Sequence, residues 1–167
     1  LRRLGRNEEA LAELVRASQL TEGGQVNVSQ ALNLGAFYCS LGRPDDALKA
    51  IAPVGQMSGY GRMVQNSVLH CAALEKGDKR SASRALTYLR QHRTDGAVAY
   101  LEALLRAGEL DDAASLVSGL LATPDDRGDI LEWLQVGLQT APLPAVAQAR
   151  AAREELLARQ DVQEAVA

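Results

Sequence analysis

Two cysteines and two histidines are the side chains of this sequence best suited to metal binding or redox chemistry. His70 directly precedes Cys71, Cys39 lies in the preceding repeat, and His92 lies in a basic segment. A structural zinc site usually takes its ligands from closely spaced pairs such as Cys-x-x-Cys, which this sequence lacks. We therefore predict no metal and no cofactor. Both cysteines are expected to be small buried residues, with a disulfide between them as the alternative.

Motifs for catalysis are missing from the sequence as well. It has no Gly-x-Ser-x-Gly nucleophile motif, no phosphate-binding P-loop and no His-Glu-x-x-His zinc motif. The segment Gly59-Tyr60-Gly61 is interpreted as a loop and not as a phosphate cradle, because no predicted strand precedes it. A histidine-dependent hydrolase would need His70 or His92 beside a serine and a carboxylate, and no spacing indicates that. We predict that the chain is not an enzyme.

The composition is typical of a globular helical protein. Of the 167 residues, 47% are hydrophobic and 23% charged, while only 4% are aromatic. Alanine and leucine must therefore fill most of the core, and both are strong helix formers. The net charge of −3 argues against a general binder of nucleic acids or anionic membranes, and no apolar run reaches the ~18 residues that a membrane span requires. We predict an all-α fold, no nucleic acid partner and no direct membrane insertion.

A short pattern around a glycine recurs along the chain. Residues 4–11 read LGRNEEAL, residues 41–48 read LGRPDDAL, and residues 107–114 read AGELDDAA. Residues 76–82, KGDKRSA, form a weaker copy. The four glycines are spaced by 31 to 37 residues, and an alanine follows each of them after five positions. Such a period is typical of helical repeat proteins.

Each position of the pattern has a physical role in a hairpin of two helices. The glycine ends the first helix, since glycine tolerates the left-handed backbone found there. The acidic pair lies in the first turn of the second helix, where the helix dipole favours negative charge. The alanine lets the two helix axes approach closely. The first helices are apolar almost all round and the second helices on one side only, which predicts inner and outer helices. Ser29 and Thr94 are the expected N-caps of two inner helices.

These positions resemble the tetratricopeptide repeat (TPR) family. In the copy from residue 31 to 54, the residues that match the family pattern are Leu34, Gly35, Tyr38, Gly42 and Ala47. The next two copies place His70 and Leu101 where the family has a small residue, so we expect their helices to lie further apart. The resemblance implies a right-handed α-solenoid of TPR-like hairpins with a C-terminal helical cap.

The repeats and the segment after them define the predicted organisation. TPR-like repeats occupy residues 1–124: the second helix of one repeat at 1–20, then repeats at about 28–55, 62–93 and 94–124. Residues 125–167 are expected to form a degenerate fifth hairpin and C-terminal helices of the same solenoid. Leu1 is not a methionine and residues 1–4 read as the end of a helix, so we expect a piece of a longer protein. Arginine outnumbers lysine 15 to 3, which favours a bacterial origin and leaves cytoplasm and periplasm open.

In TPR proteins the inner helices line a concave groove that holds an extended peptide or a partner helix. Carried over position by position, the resemblance implies these groove residues: Ser29, Leu32, Ala36, Cys39, Ser40, Val64, Ser67, Cys71, Leu74, Glu75, Asp95, Val98, Glu102, Leu105 and Arg106. The groove is mostly apolar, so it favours an apolar strand or an amphipathic helix over a C-terminal carboxylate. The alternative is that a segment of the parent protein fills it.

A basic segment surrounds the third repeat glycine, Gly77. It replaces the acidic pair at the start of that outer helix and so opposes the helix dipole. Its residues form a candidate outer basic patch: Lys76, Lys79, Arg80, Arg84, Arg90 and Arg93. We interpret the patch either as a docking surface for an acidic partner or as a solvated outer face, and we expect His92 to be solvated.

These observations predict a protein-protein interaction scaffold or adaptor that binds a peptide or partner helix in its concave groove. The family resemblance places it in a larger bacterial secretion, export or assembly protein, by analogy alone. Two alternatives stay open. One is a purely structural or self-associating segment without a groove ligand, including a homodimer; the other is a secretion chaperone that shields an apolar cargo segment.

Overall fold

The computed structural model describes residues 5–22, 24–136 and 143–166. In these ranges the chain is helical apart from a two-residue antiparallel ribbon, Thr21–Glu22 with Gln25–Val26, so the predicted all-α class is confirmed. The α-helices are α1 (Asn7–Ser18), α2 (Val28–Ser40), α3 (Pro44–Ile51), α4 (Gly59–Glu75), α5 (Lys79–Gln91), α6 (Ala97–Ala107), α7 (Leu110–Ala122), α8 (Pro124–Val136), α9 (Ala147–Ala158) and α10 (Gln160–Val166). Short 3-10 turns precede α6 and α9.

The four repeat glycines share one left-handed backbone geometry, and the last three of them connect the two helices of a hairpin. They are Gly5, Gly42, Gly77 and Gly108, with φ angles of 70°, 68°, 70° and 75°. After α2, the amide of Gly42 donates to the Cys39 carbonyl and the amide of Arg43 donates to the Tyr38 carbonyl, which together make a Schellman motif. The glycines after α4 and α6 close their helices with the same two bonds. The period in the sequence is thus confirmed as a repeated backbone geometry.

The second helices begin as the pattern predicts, with one difference. The repeat alanines are all buried: Ala10, Ala47, Ala82 and Ala113. Acidic residues lie in the first turn of α1, α3 and α7, whereas α5 has none in its first turn. There the side chain of Asp78 accepts a hydrogen bond from the Ser81 amide at 3.0 Å. Asp78 therefore supplies at the N-cap the negative charge that the basic start of α5 lacks.

The predicted N-caps of the inner helices are wrong. Asn27 caps α2 by accepting from the Gln30 amide at 3.1 Å, and Ser29 lies inside that helix. The helix α6 begins after Gly96 without a side-chain cap, and Thr94 lies in the preceding 3-10 turn. In both places the helix begins at a different residue from the one that the N-cap preference of serine and threonine predicts.

The helices pack as sequential hairpins whose first members lie side by side. The hairpin partners α2 and α3, α4 and α5, and α6 and α7 contact each other, and α4 contacts both α2 and α6. The outer helices bury one face, as α5 does with Ala82, Ala85, Leu86 and Leu89. The core consists of one cluster around α1 and α2, one around α2 to α4, and a larger one from α4 to α10.

The C-terminal segment returns to the beginning of the fold. The 3-10 turn Pro144–Val146 contacts α2, while α9 contacts α6 and α7, and α10 contacts α7. Leu143 packs in the cluster of α1 and α2, and Leu156 and Val162 are buried in the cluster of α4 to α10. Arg159 holds this arrangement through an ion pair with Asp111 of α7 at 2.7 Å. No helix within the described ranges is long and apolar enough to cross a bilayer.

We predict that Gly35 is required for the close contact of α2 with α3. A Cβ at this position would lie 2.7 Å from Cγ2 of Ile51 and 3.4 Å from the Ala47 carbonyl oxygen. Gly35→Ala should lower the free energy of unfolding by about 1–2 kcal/mol, because overpacking outweighs the gain in helix propensity. Urea unfolding followed by circular dichroism measures this difference.

The matched control is Gly119→Ala in α7, where an added Cβ meets no atom within 4 Å. This change should raise the free energy of unfolding by up to about 1 kcal/mol, because only helix propensity changes. A Gly35→Ala protein as stable as Gly119→Ala would contradict the close packing of α2 on α3.

Candidate protein interaction site

An open cleft of about 1460 Å³ lies along one face of α7. Its floor is a stripe of α7 residues spaced by one helical turn: Asp112, Ser115, Leu116, Gly119, Leu120 and Thr123. The first half of α6 and the turn before it form one wall, with Val98, Tyr100 and Glu102. The facing wall is α8, with Asp126, Asp129, Ile130, Glu132 and Trp133. Tyr60, Arg90, Arg93 and Arg153 complete the lining.

The side chains on the facing sides of α7 and α8 keep the cleft open. Ile130 and Leu134 anchor α8 in the core and are 1% and 9% exposed. Asp126, Asp129 and Trp133 lie on the neighbouring stripe of α8 and line the cleft. On α7, Gly119 has no side chain, and a Cβ built there would meet no atom within 4 Å.

Trp133 and Arg153 build the contact between α8 and α9 at this cleft. The guanidinium carbon of Arg153 lies 3.9 Å from the centroid of the Trp133 ring, a cation–π geometry. Nη2 of Arg153 also donates a hydrogen bond to the Trp133 carbonyl oxygen. Burial lowers the pKa of Arg153, and the nearby Glu102 carboxylate opposes that effect. The C-terminal segment therefore contributes directly to the lining.

Arg90 ties α5 to α6 and α7 beside the cleft. Its Nε donates to the Tyr100 hydroxyl at 2.9 Å, and its Nη2 donates to Glu109 at 3.1 Å and to Asp112 at 2.8 Å. The hydrogen bond with Tyr100 and the two carboxylates raise the pKa of Arg90. This member of the predicted basic patch thus holds three helices together and has its charge compensated.

The rest of the predicted basic patch divides between two surfaces. Arg93 lines the cleft, and its Nη1 donates to the Arg90 carbonyl at 3.4 Å. Lys76 pairs with Asp45 of the preceding hairpin. The exposed residues Lys79, Arg80 and Arg84 remain on the outer face of α5.

Five of the predicted groove residues are buried and therefore do not line an open groove. They are Leu32, Cys39, Ser40, Cys71 and Leu105. Leu32 and the two cysteines pack in the core between α2, α3 and α4. The Ser40 hydroxyl donates to a carbonyl of its own helix, and Leu105 packs in the same cluster as Leu156 of α9. These five side chains therefore pack between helices and are not available to a partner.

The other predicted groove residues reach the surface, and three of them line the cleft. Asp95, Val98 and Glu102 lie in the α6 wall. Outside the cleft, the half-buried or exposed members are Ser29, Ala36, Val64, Ser67, Leu74, Glu75 and Arg106. Most of the cleft residues that the sequence did not indicate belong to α7, α8 and α9; Tyr60 of α4 and Tyr100 of α6 are further ones. The available signals were the small residues Ser115 and Gly119 beside leucines, and the single tryptophan of the chain.

Cys39 and Cys71 are free buried thiols, 3% and 5% exposed, as predicted from the sequence. Cys39 Sγ lies 3.6 Å from the Val68 carbonyl oxygen, and the neighbouring Cys71 thiol together with burial raises the pKa of Cys39. In the part of the chain that the structure describes, no three His, Cys, Asp or Glu side chains are grouped to hold a metal ion.

No protein-family model, no curated protein and no solved structure matches this chain.

We predict that His70 makes the protein less stable as the pH falls below neutrality. This side chain is 1% exposed, and burial together with the charge of Arg106 lowers its pKa to about 4. The unfolded chain takes up the proton near pH 6.5, before the folded chain does. Stability should therefore fall by up to about 3 kcal/mol between about pH 6.5 and pH 4, because the unfolded state binds more protons in this range.

Urea unfolding at about pH 7 and pH 4.5 measures this loss. His70→Met should remove most of it, whereas His92→Gln, at the exposed histidine, should keep it. A wild-type free energy of unfolding that is equal at both pH values would contradict a neutral buried His70.

Proposed function

We propose that this chain is a segment of a right-handed TPR-like solenoid that acts as a protein-protein interaction scaffold, and that its cleft binds a peptide or helix of a partner protein. The observation that carries this proposal is the open cleft along α7, which has predicted groove residues in its α6 wall. The repeated glycine bends and the side-by-side packing of α2, α4 and α6 support the solenoid interpretation. A role within a larger bacterial assembly follows by analogy with the TPR family.

The size and lining of the cleft suit a peptide. Its volume of about 1460 Å³ exceeds the ~300–1,000 Å³ typical of small-molecule pockets. The lining joins apolar residues such as Val98 and Leu116 to tyrosine, tryptophan and arginine, the residue types enriched at interaction hot spots. Tyr60 is 65% exposed beside the α6 wall, so its ring is available to a partner.

The geometry favours a binding mode in which a segment lies along α7. The floor repeats every helical turn, and α6 and α8 stand on either side of it. An amphipathic helix or an extended strand placed there would contact three helices at once, as in helix-in-groove recognition. We assign binding and not catalysis to this site, because Arg90 is held in ion pairs and the α8 carboxylates are exposed to solvent.

The proposal can be tested by filling the cleft without disturbing the fold. Gly119→Phe adds a side chain to the floor of the cleft, at a position where an added Cβ meets no atom within 4 Å. Peptides selected from a displayed random library on the wild-type chain should bind this variant at least tenfold more weakly, because the phenyl ring occupies the place of the peptide. Fluorescence anisotropy with the selected peptides measures the loss.

Gly128→Phe is the matched control. Gly128 is also an exposed helical glycine with no atom within 4 Å of an added Cβ, but it does not line the cleft. This variant should bind the selected peptides as the wild type does. Circular dichroism establishes that both variants fold. Failure to select any peptide, or equal binding by Gly119→Phe and Gly128→Phe, would refute the proposed role of the cleft.

A further inference from the structure

We infer that the segment bound in the cleft is a basic amphipathic helix, with apolar residues on one face and lysines or arginines beside them. This inference rests on the proposed function, because it names the chemistry of the partner for the same cleft. It follows from two features of the lining: negative charge on the α8 wall that the protein does not compensate, and an apolar stripe directly beside that charge.

The α8 wall presents three carboxylates in one row. Asp126, Asp129 and Glu132 follow each other at intervals of three residues, and all three are exposed. None of them forms an ion pair with a residue in the described ranges. The dipole of α8 accounts for acidic residues in its first turn, but its effect falls off beyond that turn. Helix stability therefore gives no reason for Asp129 and Glu132 to be acidic.

The positive charges of the lining are partly compensated within the protein. Arg90 is paired with Glu109 and Asp112. Arg93 and Arg153 form no ion pair in the described part of the chain, although Arg153 stacks on Trp133 near the Glu102 carboxylate. These two cations stand against the three unpaired carboxylates of the α8 wall. The charge left uncompensated in the cleft is therefore negative, and complementary charge in a partner is positive.

The carboxylate of Asp95 does not change this balance of charge in the cleft. It lies against the N-terminus of α4, since a Cβ at Gly59 would be 2.8 Å from its Oδ2 atom, and it is 3.8 Å from Nδ1 of His92. A helix N-terminus stabilises negative charge, so the carboxylate of Asp95 already has a partner inside the fold.

The apolar stripe gives the partner its second property. Leu116 and Leu120 lie one turn apart on α7, with Val98 on one side and Trp133 on the other. A helix with leucines spaced by three and four residues would pack its ridge along this stripe. Basic residues on the adjoining face would then repeat about every turn, which matches the spacing of the three carboxylates along α8.

Two synthetic helical peptides of about 15 residues test the charge of the partner. Both carry leucines on one face; one carries lysines and the other glutamates on the rest of the helix. Fluorescence anisotropy with the full chain should give at least tenfold tighter binding of the lysine peptide, and the difference should shrink at about 1 M salt, where charges are screened.

The change Glu132→Lys should weaken binding of the lysine peptide about fivefold, because it replaces an attraction with a repulsion. Glu155→Lys is the matched control, since it makes the same charge change at an exposed residue of α9 outside the cleft. Its effect should stay below about twofold. Equal weakening by the two changes would mean attraction to the overall acidic chain and would overturn the inference, and so would the absence of binding by either peptide.

The outcomes separate this inference from the proposed function. If the glutamate peptide binds as tightly as the lysine peptide and Gly119→Phe weakens both, the cleft binds peptides and the inference about charge is wrong. If library-selected peptides bind Gly119→Phe as they bind Gly128→Phe, the proposed function fails instead. Circular dichroism of each variant establishes that any loss of binding is not a loss of fold.

Discussion

The left-handed glycine bend is the constraint on which the other packing in this protein depends. A φ angle near +70° is strained for residues with a Cβ, so each bend needs a glycine, and after α2, α4 and α6 that glycine ends the helix with a Schellman motif. The bend returns the chain so soon that the second helix must pack on the first. The alanine five residues later is then buried in their contact, as Ala47 and Ala113 are, without any exposed surface. Repetition of one bend places α2, α4 and α6 side by side.

The hairpins could be predicted from the sequence because every signal for them is local. Glycine, acidic pair and alanine act within one turn and its two flanking helices, and the structure has the bends where the sequence places them. The groove residues were harder to predict, because burial depends on how neighbouring hairpins pack. Cys39 and Cys71 point into the contact of α2 with α4, where the TPR positions imply a partner surface. The predicted N-caps were wrong for a related reason, since α2 and α6 do not begin at equivalent positions of the repeat.

The cleft depends on how helices pack on one another, and no local pattern indicates that packing. It needs the consecutive helices α7 and α8 to be packed through Ile130 and Leu134, and it needs α9 to bring Arg153 to Trp133. The second condition accompanies the return of the C-terminal segment to α2 and α6. What the sequence does contain is the surface itself: Gly119 among the leucines of α7 and the acidic row of α8. Their place in one surface can be recognised only when the packing of α7 and α8 is known.

The sequence presents self-contact and partner binding as alternatives, but the observed self-contact and the proposed binding site fall on different halves of α6. Leu105, in the second half, packs in one buried cluster with Leu156 of α9, so the chain itself covers the predicted groove there. Val98 and Glu102, in the first half, line the open cleft. Because Arg153 of α9 also holds Trp133 in place, the segment that covers one half of α6 shapes the site beside the other half. The helix α9 therefore contributes Arg153 to the lining of the proposed site and does not compete for it.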